Sequence, residues 1–189
     1  TPRFSQEGTK GEFLSVELEL KVLADVGLVG LPNAGKSTLL SVMTTAKPKI
    51  ADYPFTTLQP HLGIVKYGEY QSFVMADIPG LIEGASEGKG LGHQFLKHIE
   101  RNKILLFMID IEEQNPIDVY NQLMDELVGF NKDLLDKDRL IVRTKIDIAS
   151  EDVDERWSSF PEEFIDISSV SNQGLNTLKD KLVSFLSAS

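Results

Sequence analysis

The 189 residues predict a three-layer α/β domain, a mainly parallel sheet with helices on both faces. Three observations lead there. Short apolar runs, around Val26, Leu28 and Val29, from Ile104 to Ile109 and from Leu140 to Val142, suit strands buried on both faces. They alternate with segments of helical period, such as Val119, Leu123, Leu127 and Phe130 after Pro116. The polar, glycine-bearing stretches fall where the strands end, which is where such sheets carry their functional loops.

Length and composition set the bounds. The chain is long enough for one domain with a real core and too short for two ordinary ones. It has no cysteine, so disulfides are excluded and a reducing compartment is allowed. No apolar run approaches the roughly 20 residues that span a bilayer, and a soluble, cytoplasmic monomer is expected. A net charge of −10 argues against a broadly basic surface for nucleic acid. Contact with RNA through a local patch stays open.

In chain order, Thr1 to Lys10 is polar and aperiodic and reads as a linker. Glu12 to Lys21 alternates Leu14, Val16, Leu18 and Leu20 against Ser15, Glu17 and Glu19, which predicts a half-buried strand. Val22 to Asp25 continues it into the strand at Val26. Thr38 to Met43 reads as the first helix, and Thr44 to Pro60 as a long proline-punctuated connection of the functional or disordered kind. Leu62–Tyr67 and Ser72–Ala76 flank Gly68-Glu69 as a hairpin. Leu81 to Gly92 follows Gly80 with four more glycines, a composition that lets a loop change shape at little steric cost. Then come a helix from His93 to Arg101, the strand from Ile104, the helix from Pro116 to Phe130 and the strand around Ile141. A short helix at Glu151–Ser158, a strand at Phe164–Ile167 and a helix after Gly174 (Leu175, Leu178, Leu182, Phe185, Leu186) close the chain.

The chemistry is concentrated in Gly30-Leu31-Pro32-Asn33-Ala34-Gly35-Lys36-Ser37, leading into Thr38. Two glycines bracket a loop between a strand and a helix, so consecutive N–H groups can face inward at a helix N-terminus and cradle a polyphosphate. Lys36 would reach the terminal phosphates and the Ser37 hydroxyl the accompanying Mg²⁺. Asp77-Ile78-Pro79-Gly80 ends the next apolar strand: the carboxylate can bind Mg²⁺ through water, and the Gly80 N–H can approach a terminal phosphate unobstructed. Within Phe55-Thr56-Thr57-Leu58-Gln59, Thr57 is the favoured further Mg²⁺ ligand and γ-phosphate contact, with Thr56 as its rival. Thr144-Lys145-Ile146-Asp147 bears on base choice. One carboxylate, Asp147, can accept both the N1–H and the amine of guanine, whereas adenine has no matching donor pair. The Lys145 stem would cover the ring, and backbone N–H groups of Ser168, Ser169 and Val170 would reach the guanine O6. The plain alternative for that serine loop is a helix cap.

These elements in this order resemble the small G-protein-like class of P-loop NTPases. The longer phrases Glu17–Gly30, Tyr53–Leu58, Asp77–Ala85 and Gly88–Arg101 resemble the Obg family of GTPases in particular. The resemblance implies that residues 1–21 are a linker and the end of a preceding Obg domain, and that 22–189 is the GTP-binding domain. It implies GTP and GDP as ligands, Mg²⁺ as cofactor, the large ribosomal subunit as partner of the full-length protein, roles in its assembly and in growth and stress control, and binding of guanosine tetraphosphate. The family usually has Asn where this chain has Thr144. That Asn bridges to the phosphate loop and faces the base N7, so weaker base affinity is expected here. In some relatives an Asn at the place of Asn33 helps hold K⁺, which makes K⁺ a candidate second cation, while a turn former is the plain alternative. Leu81 stands where many small GTPases have a water-orienting Gln, so slow intrinsic turnover is expected. Glu83, Glu87 and His93 are weaker candidates to position the water, and Lys36 is the expected transition-state stabiliser, with Thr57 and Gly80 beside it. Two rival readings remain at this level: an ATPase of related fold, and a nucleotide-gated scaffold with negligible hydrolysis.

Overall fold

The computed structural model describes residues 8–15, 24–46, 48–50, 60–77 and 102–188. Among these, seven strands form one sheet: β1 (Val26–Val29), β2 (Lys49–Ile50), β3 (His61–Tyr67), β4 (Gln71–Asp77), β5 (Ile104–Asp110), β6 (Asp138–Thr144) and β7 (Phe164–Asp166). Their spatial order is β2-β3-β4-β1-β5-β6-β7. The β1–β4, β1–β5, β5–β6 and β6–β7 pairs are parallel, and only the β2–β3 and β3–β4 pairs are antiparallel. The predicted mainly parallel sheet is therefore present, with the hairpin at one side. The described helices are α1 (Lys36–Met43), α2 (Pro116–Phe130), α3 (Val153–Trp157) and α4 (Leu175–Ala188), with 3₁₀ turns at Lys132–Asp136 and Ile146–Ile148.

Strand side chains alternate between faces, and β5 divides its apolar run accordingly. Leu105, Phe107 and Ile109 pack with Tyr120, Leu123 and Leu127 of α2 and with Val153 and Trp157 of α3. Ile104, Leu106 and Met108 pack with Leu39 and Leu40 of α1 and with Leu178 and Leu182 of α4. Helices thus cover both faces, and this is why β5 reads as continuous hydrophobicity and not as alternation.

Beyond β5, an ion pair joins the outer strands. Arg143 of β6 donates from Nε and Nη2 to the two Asp166 carboxylate oxygens of β7 at 2.6 and 2.8 Å. Its guanidinium carbon lies 4.8 Å from the Phe164 ring centroid and 5.5 Å from that of Trp157. Hydrogen bonding to Asp166 raises the Arg143 pKa above its ordinary value. A two-point guanidinium–carboxylate pair also fixes orientation, so the loops after β6 and β7 are held side by side.

Several expectations need correction. Residues 12–15 belong to no strand, and Phe13 and Leu14 are exposed. Their alternation finds no pairing strand, and alternation alone cannot supply one. Residues 16–23, and with them the rest of the proposed strand at Glu12–Lys21, lie outside the described residues. The strand at Val26 does not extend back over Ala24 and Asp25. The Thr44–Pro60 connection contains β2, whose two residues pair with Leu62 and His61 and are too few to show a period. The short helix is trimmed to Val153–Trp157, whereas α1 starts two residues earlier than Thr38. The helix expected at His93–Arg101 lies outside the described residues.

Gly174, just before α4, has φ +72°, and a Cβ there would lie 1.9 Å from the Asp166 carbonyl oxygen. A side chain meets both a backbone clash and the left-handed penalty. Gly174→Ala is expected to lower the unfolding free energy by about 2 kcal/mol or more, read from urea denaturation; parental stability in the variant would contradict the close approach.

Candidate functional site

The parallel strands β1, β4, β5 and β6 deliver their C-terminal ends to one edge of the sheet. β1 leaves through Gly30, which sits against β5: a Cβ at Gly30 would lie 2.6 Å from the Met108 carbonyl oxygen. Asn33 (φ 65°) and Gly35 (φ 95°) then take left-handed conformations, and the chain turns into α1 at Lys36. Asn tolerates that region better than most residues. Leu31 is half-buried, Pro32 and Asn33 are exposed, and Ala34 is buried. Ala34 N–H donates to the Leu31 carbonyl at 3.2 Å and Leu39 N–H to that of Gly35 at 2.8 Å. Lys36 folds back over the loop, its Nζ donating to the Gly30 and Leu31 carbonyls at 2.8 and 2.9 Å. A cation is thereby held over a turn whose backbone curls round it. Ser37 and Thr38, at the start of α1, are exposed.

The metal-binding candidates Ser37 and Asp77 meet. Asp77, the last residue of β4, is buried beside β1 in register with Leu28. Ser37 Oγ donates to Asp77 Oδ2 at 2.6 Å, and Asp77 Oδ1 is buried without a hydrogen-bond partner. A buried carboxylate oxygen left unpaired is costly, and a cation or its bound water would relieve that cost. Among the described residues no group of three or more His, Cys, Asp or Glu could hold a metal. One hydroxyl and one carboxylate nevertheless fit Mg²⁺, which takes one or two carboxylates and completes its shell with water and phosphate oxygens. Phe55, Thr56, Thr57, Leu58, Gln59, Ile78, Pro79, Gly80, Leu81, Glu83, Glu87 and His93 lie outside the described residues.

The base-side candidates gather at the end of β6. Thr144 is buried, and its hydroxyl lies 2.9 Å from the Ala34 carbonyl and 3.3 Å from that of Ile109. Thr is shorter than Asn, yet it bridges to the phosphate loop. Its one hydroxyl proton is spent inside the protein. Lys145 is left-handed (φ 61°), and its Nζ pairs with Asp110 Oδ2. Ile146 N–H donates to the Ile167 carbonyl at 3.3 Å. Asp147 is exposed, and its Oδ1 accepts from Ser168 Oγ at 2.5 Å. Ser168 is fully buried and its Oγ also accepts from Ser171 N–H at 3.0 Å. The Ser168 N–H donates to the Gln173 carbonyl at 3.0 Å, so outward donation from this loop falls to Ser169 and Val170, and Val170 is exposed.

Three residues absent from the sequence expectations support the site. Asp110 holds Lys145. Glu112 accepts from Ser150 N–H at 2.7 Å. Arg156 donates to the Glu112 and Glu113 carbonyls at 2.9 and 3.1 Å and to Ser150 Oγ at 2.8 Å. Together they brace the turn after Asp147 from the loop after β5. The only sequence signal was a carboxylate at the end of a buried strand.

Comparison with known proteins bears on the family and the fold. The family model described as "50S ribosome-binding GTPase" matches residues 25–145. A protein named GTPase Obg from Pelodictyon phaeoclathratiforme is 61% identical over 181 residues, which are 96% of this chain and 54% of that protein. GTPase Obg from Flavobacterium psychrophilum is 58% identical over 194 residues, 98% of this chain and 57% of its own. The chain thus spans about half the length of the curated relatives it matches. Among solved structures, the G domain of the Thermotoga maritima FeoB iron transporter aligns with a TM-score of 0.63 at 26% identity, over 85% of this chain and 97% of that one. An Aquifex aeolicus Era variant bound to GDP and AlF4⁻ aligns with a TM-score of 0.62 at 28% identity, over 88% of this chain and 57% of that one.

Thr144→Val keeps the volume and removes the donor. Without ligand it is expected to lower the unfolding free energy by about 1–2 kcal/mol, because the buried Ala34 carbonyl loses its partner, while Thr144→Ser retains most of the stability. Equal urea midpoints for the parent and the Val variant would contradict the bridge.

Proposed function

This chain belongs to the Obg family of GTPases, and we propose that it is a Mg²⁺-dependent switch that binds and hydrolyses GTP and acts in large ribosomal subunit assembly and in growth and stress control. One observation carries the reading. The phosphate loop, the Ser37–Asp77 pair and the Asp147 loop reach the same edge of the sheet, joined by the hydrogen bond from Thr144 to Ala34.

In this scheme the loop from Gly30 to Thr38 encloses the phosphates, and Lys36 exchanges its two carbonyl acceptors for phosphate oxygens, stabilising charge as it develops. Ser37 and Thr57, with Asp77 through water, would hold Mg²⁺, which neutralises charge on the β- and γ-phosphates. The Gly80 N–H contacts the γ-phosphate. Asp147 has one oxygen fixed by Ser168 and accepts from the guanine edge, with the Lys145 stem over the ring and the Ser169 and Val170 N–H groups toward O6. Asn33 would contribute to a K⁺ site at the loop's outer side. Leu81 cannot orient a water, so intrinsic turnover is slow.

Multiple-turnover phosphate release tests the enzyme reading. GTP is expected to be hydrolysed slowly, faster in KCl than in NaCl, and faster again with large ribosomal particles. Release from ATP at the GTP rate would favour the ATPase reading, and no release from GTP under any condition would favour the scaffold. Because the Thr144 proton is already committed, an added carboxamide donor should help the base: Thr144→Asn is expected to bind GDP about 5–10-fold tighter, the worth of one further hydrogen bond. Unchanged affinity in calorimetry would remove that account of Thr144.

A further inference from the structure

The pair formed by Lys145 and Asp110, so far described only as a brace, joins the proposed base side of the site to the end of β5. Lys145 takes a left-handed conformation (φ 61°, ψ 37°) that a residue with a Cβ adopts only when its surroundings impose it. Its ammonium meets Asp110 Oδ2 at 2.5 Å, with the two side chains 35% and 20% exposed. Asp110 is the last residue of β5 and pairs in register with Thr144, the residue before Lys145. Its second oxygen, Oδ1, accepts from Glu112 N–H at 3.1 Å. The carboxylate is therefore oriented at Oδ1 by its own loop, independently of the lysine that it holds at Oδ2. Asp110 also lines a cleft with Leu31, Pro32, Asn33 and Ala34 of the phosphate loop, so it stands between the two halves of the site.

We propose that Asp110 is a positioning residue for guanine-nucleotide binding, which anchors the Lys145 ammonium so that the four-carbon stem is fixed as an apolar wall for the base before the nucleotide arrives. This rests on the base-site reading of the preceding subsection. A lysine loses much rotamer freedom when it is ordered. If the loss occurs on binding, it subtracts from affinity; if the fold has already imposed it, binding is free of it. An ordinary exposed ion pair would contribute little, and that is the alternative the experiment must separate.

The test is calorimetry of GDP with Mg²⁺ on the parent, Asp110→Asn, Lys145→Ala and the double variant. Asp110→Asn retains an acceptor for the Glu112 N–H but turns an amide donor toward the ammonium; Asp110→Ser, smaller and uncharged, is the second variant should the first fold poorly. Each single change is expected to weaken GDP binding about tenfold, roughly one charge-assisted hydrogen bond, and the double variant should be no weaker than Lys145→Ala alone. Displacement by inorganic tripolyphosphate, which reads the phosphate loop without a base, should be unchanged in Asp110→Asn. GDP affinity within twofold of the parent or tighter, single losses that multiply in the double variant, or an equal loss for tripolyphosphate would each overturn the positioning role. Failure of the parent itself to bind GDP would instead remove the base-site reading on which the proposal rests.

Discussion

A buried hydrogen bond, from the Thr144 hydroxyl to the Ala34 carbonyl, ties the Gly30–Ser37 loop, proposed for the phosphates, to the end of β6, proposed for the base. Ala34 belongs to the loop that leaves β1 and Thr144 is the last residue of β6, two strands separated by β5. Their distance is thus set by two parallel pairings and by how closely the backbones pack. Gly30 makes that packing possible, since a side chain there would run into the Met108 carbonyl. This hydrogen bond and the close packing hold the Gly30–Ser37 loop beside the Lys145–Asp147 turn, and a ligand proposed to bridge them would meet loops already held together.

The same logic organises the outer part of the sheet. Arg143 and Asp166 pin β7 to β6, which brings Ser168 against Asp147. Asp110 and the Glu112–Arg156 contacts brace the intervening turn from the other side. Lys145 and Asp147 are therefore each held by a residue on a neighbouring element. The exposed functional groups are short and local, and the buried ones behind them connect distant parts of the chain. On the side proposed for the metal, Asp77 holds Ser37 through one carboxylate oxygen, and its other oxygen is buried without a hydrogen-bond partner.

Much of this was legible in the sequence, for identifiable reasons. The β5 run Ile104–Asp110 and the helix Pro116–Phe130 carry strong local signals: unbroken hydrophobicity in one, a proline start and helical spacing in the other. The turn from Gly30 into α1 was legible because Asn33 and Gly35 suit its left-handed steps. Residues 12–15 misled because alternation describes how a strand would divide its faces and not whether a partner strand exists. β2 was invisible because two residues cannot show a period. Asp110 and Arg156 were missed because their partners are chosen by strand register and loop packing, which no short-range pattern encodes. The bridge from Thr144 was not legible, because it depends on the close approach of β1 and β5, which brings the Ala34 carbonyl within reach of the shorter side chain.

The loop from Gly30 to Ser37 is proposed to enclose the phosphates of a guanine nucleotide, with Lys36 as its cation. Titration calorimetry of GDP into the magnesium-loaded protein, parent beside Lys36→Ala, tests it most directly. The account predicts stoichiometric binding by the parent and its loss in the variant. Equal heats for the two proteins, or none from a folded parent with either GDP or GTP, would contradict it.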